Sequence, residues 1–294
     1  MSIILEGPDL AGKDSLIEEI GWPQLHRPDA RGIKKSYEVS MDIPEGDIIV
    51  NRWWLTEQVY GTLFRCTDDF NSTHLWQMGL NAAVKGSISC ILDETNKELT
   101  KRYITRGDNE HLLTEILLVA NAYRSIKKDI CGYFPSMWRS DPEVLVRRHI
   151  EVQTRLRLFK TLTSESWGSL GEGINLFVGD SFNIGNLVKY PFQVLNGSSC
   201  GNLLWEALDM TRARPYTSHV LNSMKIDGTY QDWDAIVEFF KPRRIIALGK
   251  EARERLHDAR VEHRTMPHPS YWKRFHYKDI AEYGRRLEVL LSDS

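Results

Sequence analysis

The sequence predicts an α/β protein made of two doubly wound parallel-sheet units in series, and three observations carry that expectation. In the first half, the apolar runs Ile3-Ile4-Leu5, Ile48-Ile49-Val50 and Cys90-Ile91-Leu92 alternate with segments of helical spacing. Between the first run and the first helical segment stands Gly7-Pro8-Asp9-Leu10-Ala11-Gly12-Lys13, which has the spacing of a phosphate-binding loop. A second series of strand-like runs, Ile174 to Val178 and Arg244 to Leu248, opens after a stretch rich in Ser and Gly.

Taken in order, Ile3 to Leu5 is long enough for a buried parallel strand, and Leu16, Ile17 and Ile20 give the next stretch a helical period. The loop spacing has a mechanical reason. Glycines let backbone N–H groups wrap an oxyanion, a helix N-terminus adds partial positive charge, and Lys13 reaches the outer phosphates. Asp14 stands where a hydroxyl residue is expected after the lysine, with Ser15 one place later. Either Asp14 supplies a carboxylate to Mg²⁺, or Ser15 takes that role after a small shift. Asp47 to Trp54 reads as a second buried strand ending in a polar pair, Asn51-Arg52. Ligands of parallel sheets bind beyond the carboxyl ends of strands, so this pair is expected to face the loop's crevice. Leu55 to Arg65 and His74 to Val84 have helical spacing. Ser89 to Asp93 is a third strand, with Asp93 a further candidate ligand for Mg²⁺. A helical region runs from Asn96 to about Lys128, interrupted at Thr105-Arg106-Gly107-Asp108, and a basic helix from Glu143 to Phe159. The expected division is residues 1–160, a linker at 161–173, and a second unit at 174–294.

Composition sets the class. Of 294 residues, 41% are apolar and 27% charged, as in ordinary globular proteins. No apolar run approaches ~20 residues, so no membrane span is expected. The first residues are taken up by the strand and loop, which leaves no room for a signal peptide and suggests a cytoplasmic location. Cys66, Cys90, Cys131 and Cys200 are widely spaced and read as reduced thiols. Charge is unevenly spread despite a net −2. Arg147 to Lys160 carries five basic residues against one acid; Lys241 to Lys278 carries eleven against four, with Tyr271, Trp272, Phe275 and Tyr277 among them. Such a run is either a solvated face or a nucleic-acid surface, since phosphates want cations and unstacked bases want flat partners.

The wording of the first half is more particular than the bare loop. Glu6-Gly-Pro-Asp9-x-Ala-Gly-Lys13 resembles the opening of thymidylate kinases, in which the loop's Asp lies near the acceptor phosphate. Asn51-Arg52-Trp-x-x-Thr56-x-x-x-Tyr60 is similar to that family's Asp-Arg-Tyr-x-x-Ser-x-x-x-Tyr, where the acid acts near the transferring group and the Arg binds the acceptor. Here the acid is replaced by Asn51, which cannot accept a proton. Lys101-Arg102-x-x-x-Arg106-Gly-Asp108 resembles the family's lid, whose arginines close over the donor phosphates. Arg27 is similar to the acceptor-phosphate arginine, and Tyr123 stands where an aromatic lies near the base. The resemblance covers roughly residues 1 to 130 and implies ATP and Mg²⁺ as cofactors.

The second half resembles the uracil-DNA glycosylase superfamily. Leu176-Phe-Val-Gly-Asp180-Ser-Phe-Asn183 is similar to its first site motif, although the usual Glu-Ala-Pro-Gly or Asn-Pro-Gly wording is absent. Pro191-Phe192-x-x-x-Asn196 is similar to the segment whose aromatic stacks on the flipped pyrimidine, and His219-Val-Leu-Asn222 to the strand ending in a base-reading Asn. Met266-Pro-His268-Pro-Ser270 is similar to the second site motif, whose His faces the base. Asp180 is the residue that would orient water.

Chemistry on a base within DNA needs that base taken out of the stack. The pairing of the two resemblances implies phosphorylation of the hydroxymethyl group of 5-hydroxymethyluracil in DNA, and it resembles viral DNA kinases that act on this base. The inference rests on analogy. Three rivals stand beside it: a kinase of free dTMP or an analogue, an active glycosylase of a modified pyrimidine, and a non-catalytic nucleic-acid binder. If the acceptor is an alcohol, Asp9 is the nearest candidate base.

Overall fold

The computed structural model describes residues 2–26, 37–39, 41–44, 46–65, 74, 78–79, 81–82, 85–107, 111–130, 136–138, 141–163, 166–180, 199–211, 218–225, 227–276 and 279–292. The chain forms two compact units, Met1–Gln153 and Thr154–Ser294.

The first unit is a five-stranded sheet ordered β2-β3-β1-β4-β5. Its strands are β1 (Ser2–Glu6), β2 (Gln24–His26), β3 (Ile48–Asn51), β4 (Ile88–Ile91) and β5 (Ser136–Trp138). Every pairing is parallel. In register, Leu5 pairs with Asn51 and Glu6 with Ile91, so the ends of β1, β3 and β4 open at one edge. Successive strand residues point to opposite faces. Ile3 and Leu5 pack with Ile49, Ile88 and Cys90 against Leu16 and Ile17 of α1 (Lys13–Ile20) and Leu145 of α5 (Pro142–Leu162). On the other face Glu6 reaches Thr56 of α2 (Trp54–Tyr60) and Tyr123 of α4 (Leu113–Ile130). Helices therefore cover both faces, as the alternating pattern predicts. Each such fully buried Ile or Leu contributes about 1.5–3 kcal/mol, enough to fix the register. Helix α3 (Asn96–Arg106) starts at a Thr-x-x-Glu cap, with Thr95 Oγ1 accepting from Glu98 N at 3.2 Å.

The second unit is a five-stranded sheet ordered β10-β9-β7-β8-β6. Strands β7 (Asn175–Gly179), β8 (Ser218–Asn222), β9 (Arg244–Leu248) and β10 (Arg264–Met266) pair in parallel; β6 (Ser166–Gly168) runs antiparallel to β8. Leu176, Val178, Leu221, Ile245 and Ala247 pack against Phe159, against Trp233, Ile236, Phe239 and Phe240 of α7 (Trp233–Phe240), and against Ala252 and Leu256 of α8 (Lys250–Asp258). The remaining helices are α6 (Ser199–Asp209), α9 (Pro269–Phe275) and α10 (Ile280–Leu291).

The join differs from expectation. Residues 161–173 contain the end of α5 and the strand β6, where a linker is expected, and the two units meet inside α5. Ser and Gly there serve a tight edge strand. Among the five basic residues of that helix, Arg155 is a core tie. It donates to Leu170 O at 2.6 Å and Phe239 O at 3.1 Å, and lies over the Phe239 ring. Among the described residues no helix is long and apolar enough to cross a membrane.

Candidate active site

The Gly7–Lys13 loop leaves the buried end of β1. Gly7 has φ +135°, and a Cβ there would lie 2.7 Å from Leu92 O, so only glycine lets the loop pass β4 this closely. Leu10, a non-glycine, is also left-handed at φ 64°. Beyond the loop, α1 begins at Lys13, and the loop borders a cavity of about 1050 Å³. Its lining brings together Asp9, Lys13, Asp14, Ser15, Asn51, Arg52, Arg102 and Arg106, residues drawn from three separate segments of the chain.

Lys13 is folded back onto the loop. Its Nζ donates to Gly7 O at 2.8 Å and Pro8 O at 2.6 Å. Burial lowers its pKa from 10.5 to about 8, against the pull of Glu6 and Asp14. Phosphates bind the charged form, so the sign is fixed. Below pH 8 the lysine carries its proton before binding; above it, binding must take one up. Nucleotide affinity is therefore expected to fall up to tenfold per pH unit above about pH 8. Titration calorimetry in buffers of different ionisation enthalpy checks this, with proton uptake growing over the same range.

Arg52 also has a left-handed backbone, φ 63°. It is over-determined by its neighbours. Arg52 N donates to Leu5 O at 2.8 Å, and Glu6 grips the next turn, accepting from the N–H groups of Trp53 (2.9 Å), Leu55 (3.1 Å) and Thr56 (3.1 Å). Backbone strain held this way is concentrated at functional sites. The Arg52 guanidinium pairs with Asp9, whose other oxygen accepts from Tyr60 OH at 3.2 Å and faces His111 Nε2 at 3.7 Å. The loop aspartate and the strand-end arginine thus form one clamp beside Lys13. Asn51 is buried, and its Oδ1 has no partner among the described residues.

Other expected site residues lie elsewhere. Tyr123, placed near the base by resemblance, is 2% exposed, with its hydroxyl on Thr56 Oγ1 (2.9 Å) and Glu6 (3.3 Å); it supports the loop from behind. Asp93 is outside the cavity lining, and its carboxylate pairs with Arg124 at 2.9 Å. Arg27 and Phe192 lie outside the described residues. Arg124 is a contributor that sequence reasoning missed, while Glu6 and Tyr60 stood in the quoted motifs with no role assigned. For Glu6 the signal was there, a carboxylate ending an apolar strand.

For Mg²⁺, the donor set is adequate. That ion is held by one or two carboxylates together with substrate phosphates and retained waters. Asp14 and Ser15 are both exposed to the cavity in the first turn of α1 and can serve in that way.

In the second unit the carboxyl ends of β7 to β10 converge on Asp180, Asn222 and the Met266–His268 turn. Ser223 N donates to Gly179 O at 2.9 Å and Gly249 N to Met266 O at 3.0 Å. Asp180 is used as a helix cap, its Oδ1 accepting from Ala252 N at 2.8 Å. It sits so close over Gly249 (φ +121°) that a Cβ there would lie 2.5 Å from its carboxylate. His268 Nδ1 accepts from Ser270 N at 3.1 Å. In the neutral ring the proton is then on Nε2, and burial lowers the pKa against the attraction of Asp180, so the neutral ring prevails at pH 7. His219 is a core residue: burial pushes its pKa to about 3, and its ring packs on Phe159 and Phe240. Trp272 is buried too, whereas Tyr271 (50% exposed) and Phe275 (62%) lie together on the surface with ring centroids 4.7 Å apart, flanking exposed Arg274.

Two α/β sheets, one parallel and one parallel but for its edge strand, the first opening on a glycine loop with its lysine and two arginines, define the class. Among solved structures, YorR protein from Bacillus subtilis in complex with phosphorylated GDP is similar at 20% identity and a TM-score of 0.42, over 55% of this chain and 98% of that one. Deoxyadenosine kinase from M. mycoides is similar in two structures. One, with products dCMP and dCDP, shows 14% identity and a TM-score of 0.32 over 54% of this chain and 100% of that one. The other, with bound dATP, shows 16% and 0.31 over 53% and 100%. No protein-family model matches the chain, and neither does any curated protein sequence.

Proposed function

We propose that this protein is an ATP-dependent phosphotransferase that phosphorylates the hydroxymethyl group of 5-hydroxymethyluracil in DNA, with the second unit binding the DNA or the extruded base. The observation that carries the phosphotransferase reading is the cavity that joins Lys13, the Asp9–Arg52 clamp and Arg106 around the start of α1. Phosphoryl transfer asks little covalent chemistry of a protein; it needs positioning and charge stabilisation. Backbone N–H groups and Lys13 suit the donor phosphates, and Arg106 adds a cation at the exposed end of α3. Mg²⁺, when bound, neutralises charge on the transferring group. Arg52 and Asp9 suit the acceptor side, where Asn51 supplies an amide in place of a carboxylate. A monophosphate acceptor brings its own charge, whereas an alcohol is neutral until its proton leaves, and Asp9 is the candidate base to take it.

The DNA part of the reading is supported by residues of the second unit. A neutral His268 with its proton on Nε2 suits a pyrimidine carbonyl, and the surface pair Tyr271 and Phe275 beside Arg274 suits unstacked bases and phosphates. His268→Ala in the full-length protein is expected to cut phosphorylation of hydroxymethyluracil DNA at least tenfold, while ATP hydrolysis without DNA stays within twofold of wild type. Equal labelling of that DNA by the variant and the wild type would reject a role for the second unit in presenting the acceptor. ATP-independent abasic sites, lost in Asp180→Ala, would instead establish a glycosylase.

A further inference from the structure

We propose that Arg102 is a positioning residue that braces the apex of the phosphate loop. The inference rests on the phosphotransferase reading only for its nucleotide measurements. The loop apex is Leu10, whose left-handed φ of 64° costs a non-glycine residue about 1–2 kcal/mol and must be held in place. Two contacts hold it, both from outside the loop. Its side chain packs against Leu99, Ile116 and Ala120 of α3 and α4. Its carbonyl accepts from Arg102 Nη1 at 2.9 Å.

The rest of the Arg102 guanidinium is spent on the same task. Nη2 donates to Glu94 Oε2 at 3.0 Å and Nε to Glu98 Oε1 at 3.0 Å, so each of its three nitrogens has an acceptor within the protein. Glu94 is itself fixed. Its side chain is 8% exposed, its Oε1 accepts from Thr95 N at 3.1 Å at the start of α3, and its carbonyl accepts from Arg124. A planar guanidinium engaged on three edges is a rigid strut, a geometry an ammonium cannot reproduce. Arg102 therefore ties the loop to α3, so that loop and helix keep one spacing while the donor is bound. Arg106, one turn further on, is exposed and lines the same cavity.

Glu94 separates this role from direct phosphate binding, because it lies outside the cavity lining and holds the guanidinium of Arg102. The test uses the full chain with Glu94→Gln, Arg102→Lys, Arg102→Gln and the Glu94→Gln/Arg102→Gln double variant. Hydrogen exchange of residues 8–15 is measured without nucleotide, and ATP affinity by calorimetry. If Arg102 is a brace, all variants speed loop exchange severalfold and weaken ATP about tenfold, and the double variant is no worse than Arg102→Gln. If Arg102 is instead a phosphate ligand, Glu94→Gln releases it. ATP then binds as tightly as in wild type or more tightly, loop exchange is unchanged and Arg102→Lys keeps much of the affinity, which would overturn the proposal. A wild-type protein that binds no ATP, yet shows faster loop exchange in Glu94→Gln, supports the brace and removes the phosphotransferase reading alone.

Discussion

Lys13→Ala is expected to lower γ-phosphoryl transfer by about two to three orders of magnitude and to leave the protein as stable as wild type or more so. The two halves of this result have separate causes. Lys13 is the one cation of the cavity that springs from the loop itself, and no other side chain can follow the phosphates from that position. Its loss removes charge stabilisation that develops during transfer, so turnover falls more than nucleotide affinity. Stability responds in the opposite sense. The fall of its pKa from 10.5 to about 8 means that the fold disfavours the ammonium, by roughly 3 kcal/mol at neutral pH. That cost is fully present below pH 8 and is relieved as pH rises toward 10.5. Replacing the lysine removes it along with two hydrogen bonds to carbonyls. Single-turnover kinetics with labelled ATP, paired with thermal melting, reads both. Normal turnover in a folded Lys13→Ala protein would end the phosphotransferase account.

Glu6→Ala is expected to produce the largest loss of stability of any single substitution at the site, about 3–5 kcal/mol, with the melting temperature of the first unit lower by roughly 10 °C. Glu6 is fully buried and accepts from three backbone N–H groups and from the hydroxyls of Thr56 and Tyr123. Removing it strands the three N–H groups and leaves the two hydroxyls to each other. Glu6→Gln keeps the volume but turns an N–H₂ toward Thr56, so about half the loss is expected. Burial raises the Glu6 pKa, and its hydrogen bonds only partly offset this. An acid whose folded pKa is raised contributes most below its unfolded value of 4.5 and loses that contribution as pH rises through the folded pKa. The Gln variant should therefore show a flatter stability profile above pH 4.5. Because Glu6 also fixes the strained backbone at Arg52, its loss should weaken the Asp9–Arg52 clamp and slow transfer even in protein that remains folded.

How much of this was legible in the sequence follows from the range of each interaction. Strands β1, β3, β4, β7 and β9 are apolar runs, and the loop is a glycine spacing; both are local signals. Strands β2, β5, β6 and β10 are three residues each, too short for any period to show, and β6 hides inside a stretch whose Ser and Gly read as a linker. The clamp is partly legible. Asp9 and Arg52 are individually suggested by resemblance, but their pairing needs the parallel register of β1 with β3, and only that register puts Asn51 opposite Leu5. Arg102 shows the limit. The family resemblance of its segment implies a lid, whereas its bonds to Leu10 and Glu94 depend on how α3 lies against the loop. The bond of Tyr123 to Glu6 is hidden for the same reason, since helical spacing does not reveal which face meets that carboxylate.

The measurement closest to the central claim offers γ-labelled ATP to the full-length protein with either hydroxymethyluracil-containing DNA or free dTMP. The account predicts label on the DNA, in alkali-stable linkage to the modified base, with dTMP at background. Label on dTMP alone would contradict the DNA acceptor and leave a free-nucleotide kinase; label on neither, with Lys13→Ala indistinguishable from wild type, would contradict the phosphotransferase itself.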